Sequence, residues 1–284
     1  MKSDEALKHV EVGIDELIKA LEQGRSDTLI QFLEFQARFY HYSFRNCLLI
    51  AMQKPTARIV AGFARWKQLG RYVKKGEKGL MILAPLVYRQ KKDVDNDDEQ
   101  SSPIVRGFRV AHVFDVAQTE GAELPEFSRI HGQPGEKLRR LQRYVSDLEI
   151  ALEFADSLGG AHGASHGGKI EILNGLEPAE EFLVTAHELA HELLHRGERR
   201  KETTRKVREL EAEAVAFIVC RTAGLDAVSH SADYIQLYSG DRELLMQSLD
   251  HIQRVSMQII SVVASTDIDE PDMNCVRSVV LAIA

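Results

Sequence analysis

Cysteine, proline and long apolar runs are scarce in this sequence, and each scarcity excludes a class of protein. The 284 residues include only Cys47, Cys220 and Cys275, too few and too widely spaced for a disulfide framework or a CxxC zinc knuckle. Seven prolines, with 44% hydrophobic and 28% charged residues, are typical of a folded globular protein. No apolar stretch reaches the roughly 18 to 20 residues that span a bilayer, so we expect a cytoplasmic protein with no membrane partner.

Acidic residues are almost absent from one segment of an otherwise acidic chain. Positions 38–92 contain 13 lysines and arginines against a single acid, Glu77, a balance of +12. Because the whole chain carries a net charge of −7, the remainder carries −19. Such a basic block within an acidic protein is a candidate binding surface for a polyanion, most often nucleic acid.

Apolar periodicity predicts an α+β protein with two domains that meet near residue 125. The first, residues 1–125, should be a small mixed α/β domain, and the second, residues 126–284, mainly helical with a short β-sheet. The predicted helices cover 5–23, 27–40, 136–158, 178–196, 202–224 and 241–265, with a helical turn at 62–70. The predicted strands cover 58–63, 79–89, 107–119 and 169–173, with 79–89 and 107–119 paired as a hairpin around the charged segment 91–102.

An HExxH motif lies in the predicted helix 178–196. His187 and His191 are four residues apart on one helix face, so both imidazoles can reach one ion at about 2.0 to 2.1 Å. Glu188 then faces the open coordination position, where it can take a proton from the attacking water and give it to the leaving amine. The motif predicts a zinc-dependent peptidase with Zn²⁺ as its cofactor and needs a third ligand.

A second predicted helix supplies carboxylates 18 residues after His191. Glu209 and Glu213 are four residues apart, so one can bind zinc while the other accepts the remaining ring proton of a ligand histidine. We assign Glu209 as the ligand and Glu213 as that partner, with Glu211 as the competing ligand if the helix register differs. His195 lies about 12 Å along the helix from the first histidine, too far to share the ion, and is expected at the end of the helix.

Two features upstream of the motif have both a functional and a structural explanation. The strand 169–173 could pair with an extended substrate over the metal, and a purely structural edge strand explains the pattern equally well. His162 and His166, in the glycine-rich segment 159–168, could contact substrate, but incidental histidines in a loop explain them better.

Aromatic and cationic residues alternate in two parts of the basic block, 39–46 and 66–79. Single-stranded nucleic acid is bound in this way, with bases stacked on rings and phosphates neutralised by cations. The alternative is a solvated basic surface whose aromatic residues lie in the core. The candidate contacts are Tyr42, Arg45, Asn46, Trp66, Lys67, Arg71, Lys74, Lys75 and Lys78.

Both halves of the chain resemble known families. The motifs are YSFRNCLLI at 42–50, VAGF at 60–63, LGR at 69–71, VKKGEKG at 73–79, ILAP at 82–85, VFDV at 113–116 and QTEG at 118–121. They resemble the N-terminal single-stranded-DNA-binding domain of ArdC-type antirestriction proteins. Residues 187–191 and 209–216 are similar to the ImmA/IrrE-like metallopeptidase domain, and that resemblance places Glu209 on the metal-binding glutamate. The resemblance to ArdC-type proteins implies ssDNA binding, carriage on mobile elements and protection of DNA from restriction.

The sequence thus predicts an ssDNA-binding zinc metallopeptidase with a zincin-like C-terminal domain, acting on a protein substrate of unknown identity. Two alternatives stay open. One is a regulatory peptidase that cleaves a repressor, and the other is a non-catalytic protein that shields DNA.

Overall fold

The computed structural model of this protein describes residues 3–88, 104–122, 134–225 and 241–264. These residues pack as two compact units. The N-terminal unit contains residues 3–14 together with the described part of 41–124, and the C-terminal unit contains 15–40 together with the described part of 125–267. The division into 1–125 and 126–284 stays a prediction, and this packing differs from it by grouping residues 15–40 with the C-terminal unit.

Three helices open the chain. They are α1 (Ser3–Glu22), α2 (Ser26–Arg38) and α3 (Phe44–Gln53). The two predicted N-terminal helices are confirmed by α1 and α2, whose apolar residues recur at helical spacing and are buried. The prediction did not include α3, because the buried run Cys47–Ile50 is continuous and leaves no polar face to reveal a helical period. The hydroxyl of Ser43 caps α3 by accepting a hydrogen bond from the Asn46 N–H at 3.4 Å.

Five short strands and one helix complete the N-terminal unit. They are β1 (Val60–Gly62), α4 (Phe63–Gln68), β2 (Arg71–Val73), β3 (Leu80–Tyr88), β4 (Ile104–Asp115) and β5 (Thr119–Gly121). An antiparallel sheet has the order β1-β4-β3, and β2 pairs with β5 separately. The predicted hairpin is confirmed by β3 and β4, while most of its connecting segment lies outside the described residues.

The edge of β3 that faces away from β4 is covered by α3. The amide of Asn46 accepts from the Leu83 N–H at 2.8 Å and donates to the Leu83 carbonyl at 2.9 Å. The amide of Gln53 makes the same pair of bonds with the main chain of Met81, at 2.8 and 2.9 Å. Two side-chain amides therefore satisfy main-chain groups that a neighbouring strand would otherwise satisfy.

The C-terminal unit places a small sheet beside a group of helices. Besides the end of α1 and all of α2, its elements are α5 (Glu136–Asp147), β6 (Ala151–Ala155), β7 (Gly163–Ser165), β8 (Lys169–Leu173), α6 (Pro178–Leu194), α7 (Glu198–Glu202), α8 (Arg205–Ala223) and α9 (Arg242–Val263). The predicted helix 136–158 is too long and needs correction. It ends at Asp147, the chain turns through Glu149 at a φ of 58°, and residues 151–155 form β6.

The strand β8 is central in its sheet, which corrects the prediction of an exposed edge strand. Its neighbours are β6, which is parallel to it, and β7, which is antiparallel. Ile170 and Ile172 are fully buried on one face. With both edges paired, β8 cannot accept a substrate strand. Among the described strands, β7 lies at the edge of this sheet, and it packs against α6.

The helices α6 and α8 pack directly against each other, and α8 also packs against α2 and α9. Small residues line α8, with Ala212, Ala214 and Ala216 all buried, so neighbouring helices can approach closely. Thr204 caps its start, and Gly224 ends it in the left-handed conformation at a φ of 82°. Within the described ranges, no helix is long and apolar enough to cross a bilayer.

Candidate metal centre

Three side chains from α6 and α8 converge on one point. The Nε2 atoms of His187 and His191 are 3.1 Å apart, and Glu209 Oε2 lies 3.6 Å from the first and 3.4 Å from the second. Ligand atoms around a tetrahedral ion with bonds of about 2.1 Å stand about 3.4 Å from one another. The three atoms therefore already have the separations that a single divalent ion requires.

The helix geometry explains this convergence. His187 and His191 are one turn apart on α6, so their rings lie one above the other, with centroids 4.7 Å apart. The close packing of α8 on α6 brings Glu209 across to them. Hydrogen bonds with His187 and His191 hold the pKa of Glu209 well below its ordinary value, so the carboxylate is ionised at neutral pH.

Glu188 lies beside these residues and is largely buried. Its side chain is in a residue only 8% exposed, and burial raises its pKa, with the adjacent imidazoles of His187 and His191 opposing the rise. A carboxylate of raised pKa is a more effective proton acceptor near neutral pH than an exposed one. This is the place and the environment that the sequence predicts for the catalytic base.

The strand β7 approaches Glu188 closely because residue 163 is glycine. A Cβ atom on Gly163 would lie 2.6 Å from Val184 Cγ1 and 2.9 Å from Glu188 Cγ, both shorter than real Cβ contacts. Any side chain at this position would displace the Glu188 carboxylate or the strand. Gly163 was not among the predicted site residues, and its only signal in the sequence is its place in a glycine-rich segment before the motif.

Glu192 attaches the glycine-rich segment to α6. Its carboxylate accepts hydrogen bonds from the N–H groups of Gly167 at 2.7 Å and Gly168 at 2.8 Å, and it pairs with Arg196 at 2.7 Å. Burial raises the pKa of Glu192, but the hydrogen bonds from Arg196 and the two glycines outweigh it and leave the pKa lowered. The ionised carboxylate thus holds the loop that follows β7.

A buried chain of polar groups lies behind His191. His191 Nδ1 is 3.1 Å from His195 Nδ1, His195 Nε2 is 2.8 Å from Glu211 Oε2, and Arg199 Nη2 is 2.5 Å from Glu211 Oε1. Burial lowers the pKa of His195, against the opposing effect of Glu211. Burial raises the pKa of Glu211, but its bonds to His195 and Arg199 leave it lowered.

The contacts of Glu209 and Glu211 on α8 differ. Glu209 approaches both histidines of the motif, whereas Glu211 is turned toward His195, so the described geometry favours Glu209 over Glu211 as the third ligand. His195 stands at the end of α6, as expected, but it also contacts His191. The role of Glu213 as partner of a ligand histidine stays a prediction. The recurrence of histidine at every fourth position, 187, 191 and 195, was the signal that His195 shares the metal face of the helix.

Each of the two loop histidines has a ring nitrogen within hydrogen-bond distance of a glutamate. His162 Nδ1 lies 2.8 Å from Glu180 Oε1, and His166 Nε2 lies 2.7 Å from Glu171 Oε2. Both rings are about half exposed, at 53% and 49%. An electrostatic effect of His166 also opposes the rise in the pKa of Glu188.

Two of the predicted nucleic-acid contacts are buried and need correction. Trp66 is fully buried and donates from its indole N–H to the Phe114 carbonyl at 2.8 Å, so no base can stack on it. Asn46 is 1% exposed, and its amide is bonded to the main chain of β3. Neither residue can contact DNA without rearrangement, because packing and hydrogen bonding already use these side chains.

The remaining predicted contacts differ in their surroundings. Arg71 is half-buried and bonds to Thr119 Oγ1 at 2.9 Å and the Thr119 carbonyl at 3.1 Å, so it also joins β2 to β5. Tyr42 is half-buried, and burial raises its pKa to about 12. The exposed predicted contacts are Arg45, Lys67, Lys74, Lys75 and Lys78.

Three exposed aromatic side chains of the same unit were not named among the predicted contacts, although Tyr72 lies in the predicted segment 66–79. Phe63 is 59% exposed, Tyr72 is 55% exposed and Phe108 is 47% exposed. Phe63 begins α4, Tyr72 lies in β2 and Phe108 in β4. Their exposure could not be read from composition, since the same stretches also contain the buried Trp66 and Phe44.

Comparison with known proteins places this architecture. Residues 7–116 match the family model of the N-terminal domain of anti-restriction factor ArdC. The metal-free crystal structure of the antirestriction ArdC protein from the R388 plasmid superposes with a TM-score of 0.54 at 17% identity, covering 90% of this chain and 97% of that protein. The chain is ArdC-like in its N-terminal sequence and in its fold.

A second solved structure and one sequence relative also match this chain. The Mn(II)-bound structure of the same R388 protein superposes with a TM-score of 0.53 at 16% identity, covering 91% of this chain and 98% of that one. An uncharacterized protein of Bacillus anthracis is 25% identical over 85% of this chain. The match covers 48% of that relative, so the chain spans about half of its length.

Proposed function

We propose that this ArdC-like chain is an ssDNA-binding, metal-dependent peptidase of the antirestriction type. The observation that supports the peptidase best is the spacing of three ligand atoms, 3.1, 3.4 and 3.6 Å apart, beside the largely buried Glu188. Two imidazoles and one carboxylate with an open fourth position form the ligand set of a hydrolytic zinc site.

Zinc is the proposed ion, with manganese as the alternative. Imidazole ligands suit Zn²⁺, while carboxylate and water suit Mn²⁺, and His187, His191 and Glu209 offer both kinds of donor. The R388 ArdC protein has been crystallised with Mn(II), which supports a divalent ion in this fold. A metal held by these three residues would polarise the scissile carbonyl and acidify the attacking water.

The residues around the ion would divide the remaining steps. Glu188 accepts a proton from water and later donates it to the leaving amine, a cycle that its burial favours. The outer edge of β7 is the proposed docking edge for an extended substrate, because Gly163 brings that strand against Glu188. This replaces β8, whose two edges are both paired.

The proposed ssDNA surface combines exposed aromatics with exposed cations of the N-terminal unit. Bases are proposed to stack on Phe63, Tyr72 and Phe108 rather than on the buried Trp66. Stacking contributes about 1 to 3 kcal/mol of binding free energy per base, and it requires an accessible ring. The accessible lysines of 67–78 supply the charge for phosphates. The name of the matching family, an anti-restriction factor, supports protection of DNA from restriction as the biological role.

Glu188→Gln tests the peptidase. This variant should bind the metal and ssDNA like the wild type but lose cleavage of associated protein, and restriction protection that depends on cleavage should disappear with it. Glu177→Gln is the matched control, because Glu177 is an exposed glutamate at the start of the same helix. It occupies the N-cap position, but its side chain makes no capping hydrogen bond. Unchanged cleavage or protection in Glu188→Gln would refute the hydrolytic function and leave DNA shielding as the alternative.

A titration with oligonucleotides tests the DNA module. Phe63→Ala with Tyr72→Ala should weaken ssDNA binding by about 10-fold or more at constant salt. Lys67→Glu with Lys75→Glu should instead flatten the dependence of affinity on salt, because fewer counterions are released. Binding that ignores both salt and these double variants would refute the proposed surface.

A further inference from the structure

The buried polar chain behind His191 has a definite hydrogen-bond direction. It runs from His191 through His195 and Glu211 to Arg199, and the side chains of His195 and Glu211 are both fully buried. No solvent molecule can reach the two middle members to satisfy them differently. Each proton in the chain must therefore lie between the two atoms that share it.

The direction follows from what each group can donate. An ionised carboxylate only accepts, and Arg199 holds Glu211 ionised, so the proton between His195 and Glu211 belongs to His195 Nε2. A neutral ring with its proton on Nε2 must accept at Nδ1. The proton between the two rings then belongs to His191 Nδ1, so Nε2, which faces His187 and Glu209, is the ring nitrogen left to bind an ion.

We propose that His195, Glu211 and Arg199 are positioning residues that fix the metal-binding tautomer of His191. The inference rests on the proposed metal site and adds three residues to it, none of which contacts the ion. A partner that fixes the tautomer of a ligand histidine typically changes metal affinity by about 10- to 100-fold. Here the carboxylate acts through an intervening imidazole, so reversing any one bond reverses the whole chain.

Glu211→Gln is the sharpest test because it keeps shape while changing hydrogen-bond direction. Arg199 requires an acceptor, so the new amide turns its oxygen to Arg199 and its NH₂ group to His195 Nε2. His195 must then carry its proton on Nδ1, His191 must accept at Nδ1, and the proton moves to His191 Nε2. The Kd for Zn²⁺ should rise by about 10- to 100-fold.

Two substitutions of His195 separate the two halves of the chain. His195→Asn keeps an oxygen near the position of Nδ1 that can accept from His191, so the Kd for Zn²⁺ should stay near that of the wild type. His195→Gln places its amide near the position of Nε2 and loses the bond to His191, so the Kd should rise as in Glu211→Gln. Equal Zn²⁺ affinity in all three variants and the wild type would overturn the proposal.

A measurement on the wild type keeps the test independent of how the variants fold. Nitrogen-15 NMR of the Zn²⁺-loaded protein should show the proton of His191 on Nδ1 and that of His195 on Nε2. A proton on Nδ1 of His195 would overturn the proposal directly. Failure of the wild type itself to bind Zn²⁺ or Mn²⁺ would instead refute the metal site, so the two failures are distinguishable.

Discussion

Glu209→Gln should remove most of the stabilisation that a bound metal gives to this protein. The wild type at a free Zn²⁺ concentration 100-fold above Kd gains about 2.7 kcal/mol. Loss of a residue that only supports a metal ligand weakens metal binding by up to about 100-fold. Loss of a charged ligand itself should therefore weaken Zn²⁺ binding by at least that factor. At the same Zn²⁺ concentration the variant would then gain about 0.4 kcal/mol.

Thermal unfolding with and without Zn²⁺ measures this difference. For a unit of this size, 2.7 kcal/mol corresponds to a rise of about 5 to 10 °C in Tm, and the variant should rise by about 1 to 2 °C. The structural reason is that Glu209 Oε2 lies 3.4 and 3.6 Å from the two imidazoles, whereas Glu211 is bonded to His195. Glu177→Gln serves as the control and should keep the full rise. An equal rise in Glu209→Gln would refute its assignment as a ligand.

Two other substitutions test the surroundings of the site, and a third tests the packing of α3 on β3. Gly163→Ala forces a Cβ within 2.9 Å of Glu188 Cγ, so the rate of cleavage per metal-loaded chain should fall by about 100-fold while Zn²⁺ binding persists. An unchanged rate would contradict the close approach of β7. Glu192→Gln should lower the free energy of unfolding by its full amount above about pH 4.3, the ordinary pKa of a glutamate, and the difference from the wild type should shrink as the pH falls from there through the lowered folded-state pKa of Glu192. A pH-independent difference in denaturant titrations would argue against this role. Asn46→Leu should cost about 1 to 3 kcal/mol in unfolding free energy by leaving the Leu83 main chain unpaired, with ssDNA affinity per folded molecule unchanged.

Local spacing was sufficient to predict that His187 and His191 converge, but not which side chains surround them. His187 and His191 are related by one helical turn, so their convergence follows from the helix itself. Glu209 and Glu211 are two residues apart on α8, and only the packing of α8 against α6 decides which of them faces the motif. The contact of Glu211 with His195 depends on the same packing, which no single-helix pattern contains.

Tertiary contacts also explain the errors in the fold. Residues 151–155 continue the helical propensity of α5, but pairing with β8 makes them a strand. Trp66 occurs among cations in sequence, yet its ring fills the core of the N-terminal unit. Asn46 is a polar residue at a helix start, and its burial depends on β3, which lies 37 positions further along the chain.

X-ray absorption at the metal edge of the purified, metal-loaded chain is the most direct test of the proposed centre. The geometry predicts one divalent ion per chain with only nitrogen and oxygen ligands at about 2.0 to 2.2 Å and the scattering signature of two imidazoles. The signature should be lost from His187→Ala with His191→Ala. A chain that binds no stoichiometric ion, or whose ion shows sulfur ligands or no imidazole, would contradict the account.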